Sequence, residues 1–155
     1  MTLKQAGPAL KSEIHWSALS LFQRILLSAD GTLTKMLETY TQETIHVVKL
    51  AESRQAFPQA VEPLHLLPGD TVIERKILLQ GRQSGRNWLY AESLLLPDRL
   101  PPKFQEQLLT TQEPIGKLWI SHKVETFKEI ITTYRQPAGQ IAGYFNLKPS
   151  DPFLC

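Results

Sequence analysis

The strongest constraint on the fold lies between Thr71 and Pro97. There two apolar runs, TVIERKILLQ and RNWLYAESLLLP, flank the glycine-rich pentapeptide GRQSG. Two such runs joined by a polar tip between glycines specify an antiparallel pair of strands and a hairpin turn. A strand over 71–80 turns Ile73, Arg75, Ile77 and Leu79 to one side. Glu74, Lys76 and Gln80 turn to the other, with Val72 and Leu78 among them. Arg75 is the misfit in an otherwise apolar row. A guanidinium keeps its charge when buried, so it must meet an anion there or reach water. Two anions are open to it: the Glu92 carboxylate, as a partner across the strand pair, or the carboxylate of a ligand.

The remaining segments alternate between helical and extended patterns. Trp16, Leu19, Phe22, Ile25 and Leu26 recur at helical spacing in HWSALSLFQRILLSADG, which predicts a helix over 16–28 ended near Gly31. GTLTKMLETYT predicts a second, short helix over 31–41, with Thr32 or Thr34 as its N-cap. The segment 43–56 opens as a strand through Ile45, Val47 and Val48, and a proline-bearing loop follows over 57–70. Prolines open a helix within 101–116 that closes before Pro114, and a short strand is expected near 117–122. EPIGKLW, over 113–119, reads either as a plain turn or as an apolar wall with a backbone N–H left accessible beside the glycine. Helices and hairpins in this order predict an α+β fold built on an antiparallel sheet with covering helices.

Composition narrows the function classes. A chain of 155 residues, 42% hydrophobic and 21% charged, is expected to form one domain over 1–155, with residues 1–14 flexible. Its 17 basic and 15 acidic residues are scattered, with no basic run or aromatic stripe, which argues against nucleic acid as a partner. The longest apolar runs, such as Leu94–Leu96, are far too short for a membrane span, and MTLKQAGPALKSE lacks the pattern of a signal peptide. The lone Cys155 excludes an internal disulfide and a cysteine metal site, which suits a cytoplasmic protein. His15, His46, His65 and His122 show no metal-ligand spacing, and no phosphate-binding glycine loop or serine nucleophile elbow is present.

Four segments, ADGTLTKMLE, IERKILLQ, WLYAESLLLP and EPIGKLW, resemble in order and spacing the chorismate lyase family, in particular its cyanobacterial and plastid branch. The resemblance runs from about residue 20 to 152. It implies conversion of chorismate to 4-hydroxybenzoate and pyruvate for quinone biosynthesis, whether plastoquinone or ubiquinone, without a cofactor. It also implies an antiparallel sheet with helices over a pocket beneath mobile flaps. The arginine that grips the ring carboxylate in that family falls on Arg75. An apolar wall position in the first flap falls on Leu33, and the residue before the glycine of the P-[LI]-G segment falls on Ile115. The anion awaited by Arg75 would then be substrate or product, held by a bidentate fork, with slow product release as the consequence. A monomer is expected.

The family carries a glutamate near the ligand's 4-hydroxyl on the last of two final strands. No glutamate follows Arg135 here, so that role is not carried over, and the final C-terminal strands are expected to be missing. Two other readings follow from the same resemblance. One is a non-catalytic small-molecule-binding module like those of some transcription regulators; the other is an inactive remnant. Regulators of that kind set a helix-turn-helix ahead of the module, whereas about fifteen residues precede the first helix here. The enzyme is the expected reading.

Overall fold

The structure is a computed structural model of the chain, and it describes residues 12–29, 33–62, 65–125 and 129–155. In chain order the elements are β1 (Ser12–Glu13), α1 (Leu21–Ser28), α2 (Leu33–Thr41), β2 (Ile45–Ala56), β3 (Thr71–Gly81) and β4 (Asn87–Leu95). They continue with α3 (Pro102–Thr110), α4 (Ile115–Ser121), β5 (Tyr134–Pro137) and β6 (Pro152–Leu154). The chain comprises two compact units. One is formed by the described residues of the two chain ends, the other by those of the middle, 33–125.

In the middle unit β2, β3 and β4 form an antiparallel sheet with β3 at its centre. The expected hairpin is present, with Ile73 opposite Leu95, Lys76 opposite Glu92 and Leu79 opposite Leu89. Its turn is organised by the Glu43 carboxylate, which accepts the N–H groups of Gln83 (3.0 Å) and Ser84 (2.9 Å) and the Ser84 hydroxyl (2.7 Å). A Cβ at position 81 would run into the Glu43 carboxylate, so a larger residue there would displace the group that organises the turn.

Alternation along the strands gives the sheet two different faces. On one, Phe104 and Leu108 of α3 and Leu118 of α4 form a buried cluster against which Leu95 packs. Leu95 is paired with Ile73, so α3 and α4 cover the face that carries Ile73, Arg75, Ile77 and Leu79. Phe104 and Leu108 are fully buried, and each such side chain contributes about 2 kcal/mol by removal from water. On the other face Val72 joins Phe57 and Leu66 of the 57–70 loop, with Val61, Leu94 and Leu96 around them.

In the unit of the chain ends, β5 pairs with β1 on one side and β6 on the other, both antiparallel. A 3-10 run over Gly139–Phe145 connects β5 toward β6, and the Phe145 and Phe153 rings lie 5.0 Å apart. Of the N-terminal stretch expected to be flexible, residues 1–11 lie outside the described residues, and Ser12–Glu13 pair with β5.

Three expectations need correction. The helix over 16–28 is two pieces, a 3-10 turn over Trp16–Ala18 and then α1. Ser20 interrupts it by forming a capping box with Gln23, each side chain accepting the other's backbone N–H. Thr34 is not an N-cap but a buried residue inside α2, while Thr32 lies outside the described residues. The strand expected near 117–122 is the helix α4. Pro114 presets its entry at φ −60°, its carbonyl accepts the N–H of Lys117 at 2.9 Å, and Leu118 drops into the Phe104 cluster.

Candidate functional site

Arg75 sits at the centre of the helix-covered face, with Glu52 of β2 on one flank and Ser93 of β4 on the other. Its side chain is 3% exposed, and Nε lies 3.0 Å from Glu52 Oε2. The approach is close enough for Coulomb attraction but is not aligned as a hydrogen bond. Glu92, the cross-strand partner considered from sequence, is instead opposite Lys76 and pairs with it at 3.4 Å on the other face. Burial pushes the Arg75 guanidinium below its ordinary value and the Glu52 charge opposes this. An arginine stays charged through such a shift.

A β-bulge brings Glu52 to this position. Lys49 pairs with Ile77 and Ala51 with Lys76, so Leu50 is the extra residue. Lys49 and Glu52, three apart, consequently share the Arg75 face, where strict alternation would separate them. Lys49 Nζ donates to the carbonyls of Leu108 (3.2 Å) and Leu109 (2.8 Å) at the end of α3, and to Glu52 Oε1 (3.3 Å). All three ammonium protons are thereby used, at a helix C-terminus where a cation is favoured. Two cations face one carboxylate here. Among the described residues no hydrogen bond leaves the Arg75 guanidinium, and its buried Nε is itself without a hydrogen-bond partner.

The other expected site residues open the two helices around this face. Ile115 is the first residue of α4, half-buried and packed against the Phe104 cluster. Leu33 is the first residue of α2, also half-buried, and is not part of that cluster. Lys117 Nζ of α4 meets Glu38 Oε1 of α2 at 2.7 Å, and the same oxygen accepts the Ile45 N–H at 3.1 Å. Burial alone would raise the Glu38 carboxyl, but the Lys117 and Ile45 hydrogen bonds outweigh it and hold the group below its ordinary value. Ile115 is thus placed on the Arg75 face by its own helix, and Leu33 is linked to that helix through Glu38.

A cleft of about 290 Å³ lies between α3 and α4, lined by Gln107, Thr111, Glu113, Lys117, Leu118 and Ser121. None of Leu33, Arg75 and Ile115 lines it. Among the described residues no three histidine, cysteine or carboxylate groups are placed to hold a metal, and no helix is long and apolar enough to cross a membrane. Glu52 and Lys49 are the neighbours of Arg75 that sequence reasoning missed, and the only signal for them was a lysine and a glutamate three apart in VVKLAES.

The antiparallel sheet with covering helices is the α+β, chorismate-lyase-like architecture expected from the sequence. The family model described as "Chorismate pyruvate-lyase Rv2949c-like" matches residues 27–155, and the chain belongs to this family. It is similar to the chorismate pyruvate-lyase of Mycobacterium leprae (strain TN), 34% identical over 106 residues, covering 68% of this chain and 50% of the relative. The chorismate pyruvate-lyase of Mycobacterium tuberculosis (strain ATCC 25618 / H37Rv) is 34% identical over 110 residues, covering 68% and 55%. The chain spans about half the length of the curated relatives it matches.

Proposed function

We propose that this chain takes chorismate to 4-hydroxybenzoate and pyruvate, with Arg75 anchoring the ring carboxylate and Leu33 and Ile115 walling the ring. One observation carries this reading beyond family membership. The Arg75 side chain is almost wholly buried, and its Nε lies buried with no hydrogen-bond partner, Glu52 standing near it but out of line. A buried fork of that kind fits a planar carboxylate, which supplies two parallel acceptors and a compensating charge.

The chemistry needs positioning more than a nucleophile. The C4 proton leaves the ring, the ring–ether C–O bond breaks, and its electron pair departs with the enolpyruvyl oxygen. Enolpyruvate then tautomerises to pyruvate, and the ring becomes aromatic. Holding the carboxylate on Arg75 orients the ring, and the apolar residues around it exclude water while charge moves to the leaving oxygen. The proposal extends to a cofactor-independent monomer in the cytoplasm that supplies 4-hydroxybenzoate to quinone biosynthesis.

The test is to incubate the chain with chorismate and follow 4-hydroxybenzoate by absorbance and chromatography, then to titrate 4-hydroxybenzoate into the wild type and Arg75→Ala. Product formation, together with loss of binding by about 100-fold in a folded Arg75→Ala, is the expected result. Binding without turnover would replace the lyase by a binding module. Unchanged affinity in Arg75→Ala would remove Arg75 from the site.

A further inference from the structure

The Arg75 guanidinium has two edges on which a carboxylate can dock through parallel N–H groups: one made by Nε with its neighbouring Nη, one made by the two Nη nitrogens. The structure shows these edges to be inequivalent. Glu52 Oε2 stands 3.0 Å from Nε, close enough for Coulomb attraction though out of line for a hydrogen bond, and Glu52 Oε1 is itself held by Lys49 at 3.3 Å. Lys49 in turn is anchored to the last carbonyls of α3. The Glu52 carboxylate is therefore suspended between two cations, one of them fixed to a helix end, and it is 23% exposed. An incoming carboxylate is left with the Nη edge and must share one guanidinium with an anion already in place.

We propose that Glu52 is a positioning residue for ligand binding. By its charge beside Nε it obstructs that edge of the guanidinium and directs the ligand's carboxylate to the Nη edge. By like-charge repulsion it also keeps an aromatic carboxylate product from being retained too tightly. This rests on Arg75 being the carboxylate anchor. Glu52 acts from the carboxylate end of the ring, the end away from the bond that breaks, so no proton transfer is assigned to it. Two carboxylates sharing one guanidinium repel each other across a short, partly screened gap. An effect of tenfold or more on affinity is therefore within reach of this contact.

The experiment measures 4-hydroxybenzoate affinity and dissociation rate for the wild type, Glu52→Gln, Glu52→Asp and Arg75→Ala. Glutamine keeps an acceptor of the same shape and removes the charge. Glu52→Gln is expected to bind about tenfold tighter, almost all of it as slower dissociation, while Glu52→Asp returns close to wild type. A merely structural role predicts the reverse, with equal or weaker binding in Glu52→Gln, and that result overturns the proposal. If Arg75→Ala leaves binding intact, the anchor reading fails and this inference falls with it. If Arg75→Ala abolishes binding and Glu52→Gln does not tighten it, only the role of Glu52 is lost. Should Glu52→Gln fail to fold, Lys49→Met probes the same contact from the other side. Releasing Glu52 onto Arg75 is expected to weaken binding several-fold, and unchanged affinity overturns the proposal.

Discussion

Two ion pairs sit back to back on β3, one residue apart, and they have opposite fates. Arg75 and Glu52 meet at 3.0 Å beneath α3 and α4, with side chains 3% and 23% exposed. Lys76 and Glu92 meet at 3.4 Å on the other face, 54% and 59% exposed. Strand alternation alone separates them. On the exposed face water solvates each charge and the pair contributes little. On the covered face the desolvation of Arg75 is only partly offset by Glu52, whose nearest oxygen is poorly aligned, so an additional anion is favoured. A buried cation with unmet donors points to a ligand, whereas a solvated pair points to nothing beyond solubility.

The largest effect expected from breaking this contrast is on the covered face. Arg75→Ala should lose about 100-fold or more in 4-hydroxybenzoate affinity, whereas Lys76→Ala should stay within about twofold, as isothermal titration of both would show. Comparable losses in the two variants would mean that overall charge, not the buried fork, attracts the ligand. Thermal melts of the same pair check the fold. Glu52 retains Lys49 and water as partners, so Arg75→Ala should remain folded.

A smaller effect is expected at the Glu38–Lys117 bridge, which joins α2 to α4 beside this face. The Glu38 carboxyl is held below its ordinary value of 4.5, so its contribution is present above that pH and is lost as pH falls through the lower folded value. Glu38→Gln should cost about 1 kcal/mol at pH 7, and the difference from wild type should shrink as both are titrated below pH 4.5. A difference that persists unchanged in acid would mean that packing of α2, and not the charge, carries the effect.

How much of this was legible in the sequence follows from what each feature depends on. The hairpin could be read because period-two apolar runs and a glycine-flanked tip are local signals. Arg75 could be singled out because a charge in an apolar row violates the same local rule. Its partner could not. Glu52 reaches it through the bulge at Leu50, and nothing in VVKLAES marks which residue will be extra. The helix α4 was missed for a related reason. KLWIS fits either period over so few residues, and it is Pro114 together with the Phe104 cluster that selects the helix. Gly81 reads as a turn glycine, but what lies against it is the carboxylate of Glu43, thirty-eight positions earlier in the chain.

The smallest expected effect sharpens the contrast most directly. A double-mutant cycle on Lys76 and Glu92, by chemical denaturation, should give a coupling of about 0.5 kcal/mol or less, and high salt should reduce it further. Glu92 is also tied to the Tyr90 hydroxyl, and that hydrogen bond is the main influence holding its carboxyl below the usual value, ahead of Lys76. Replacing Lys76 with Met should therefore leave Glu92 ionised and the hairpin intact. A coupling above about 2 kcal/mol would place this pair in the class of desolvated interactions. The two faces of β3 would then differ in access to ligand and not in the strength with which they hold charge.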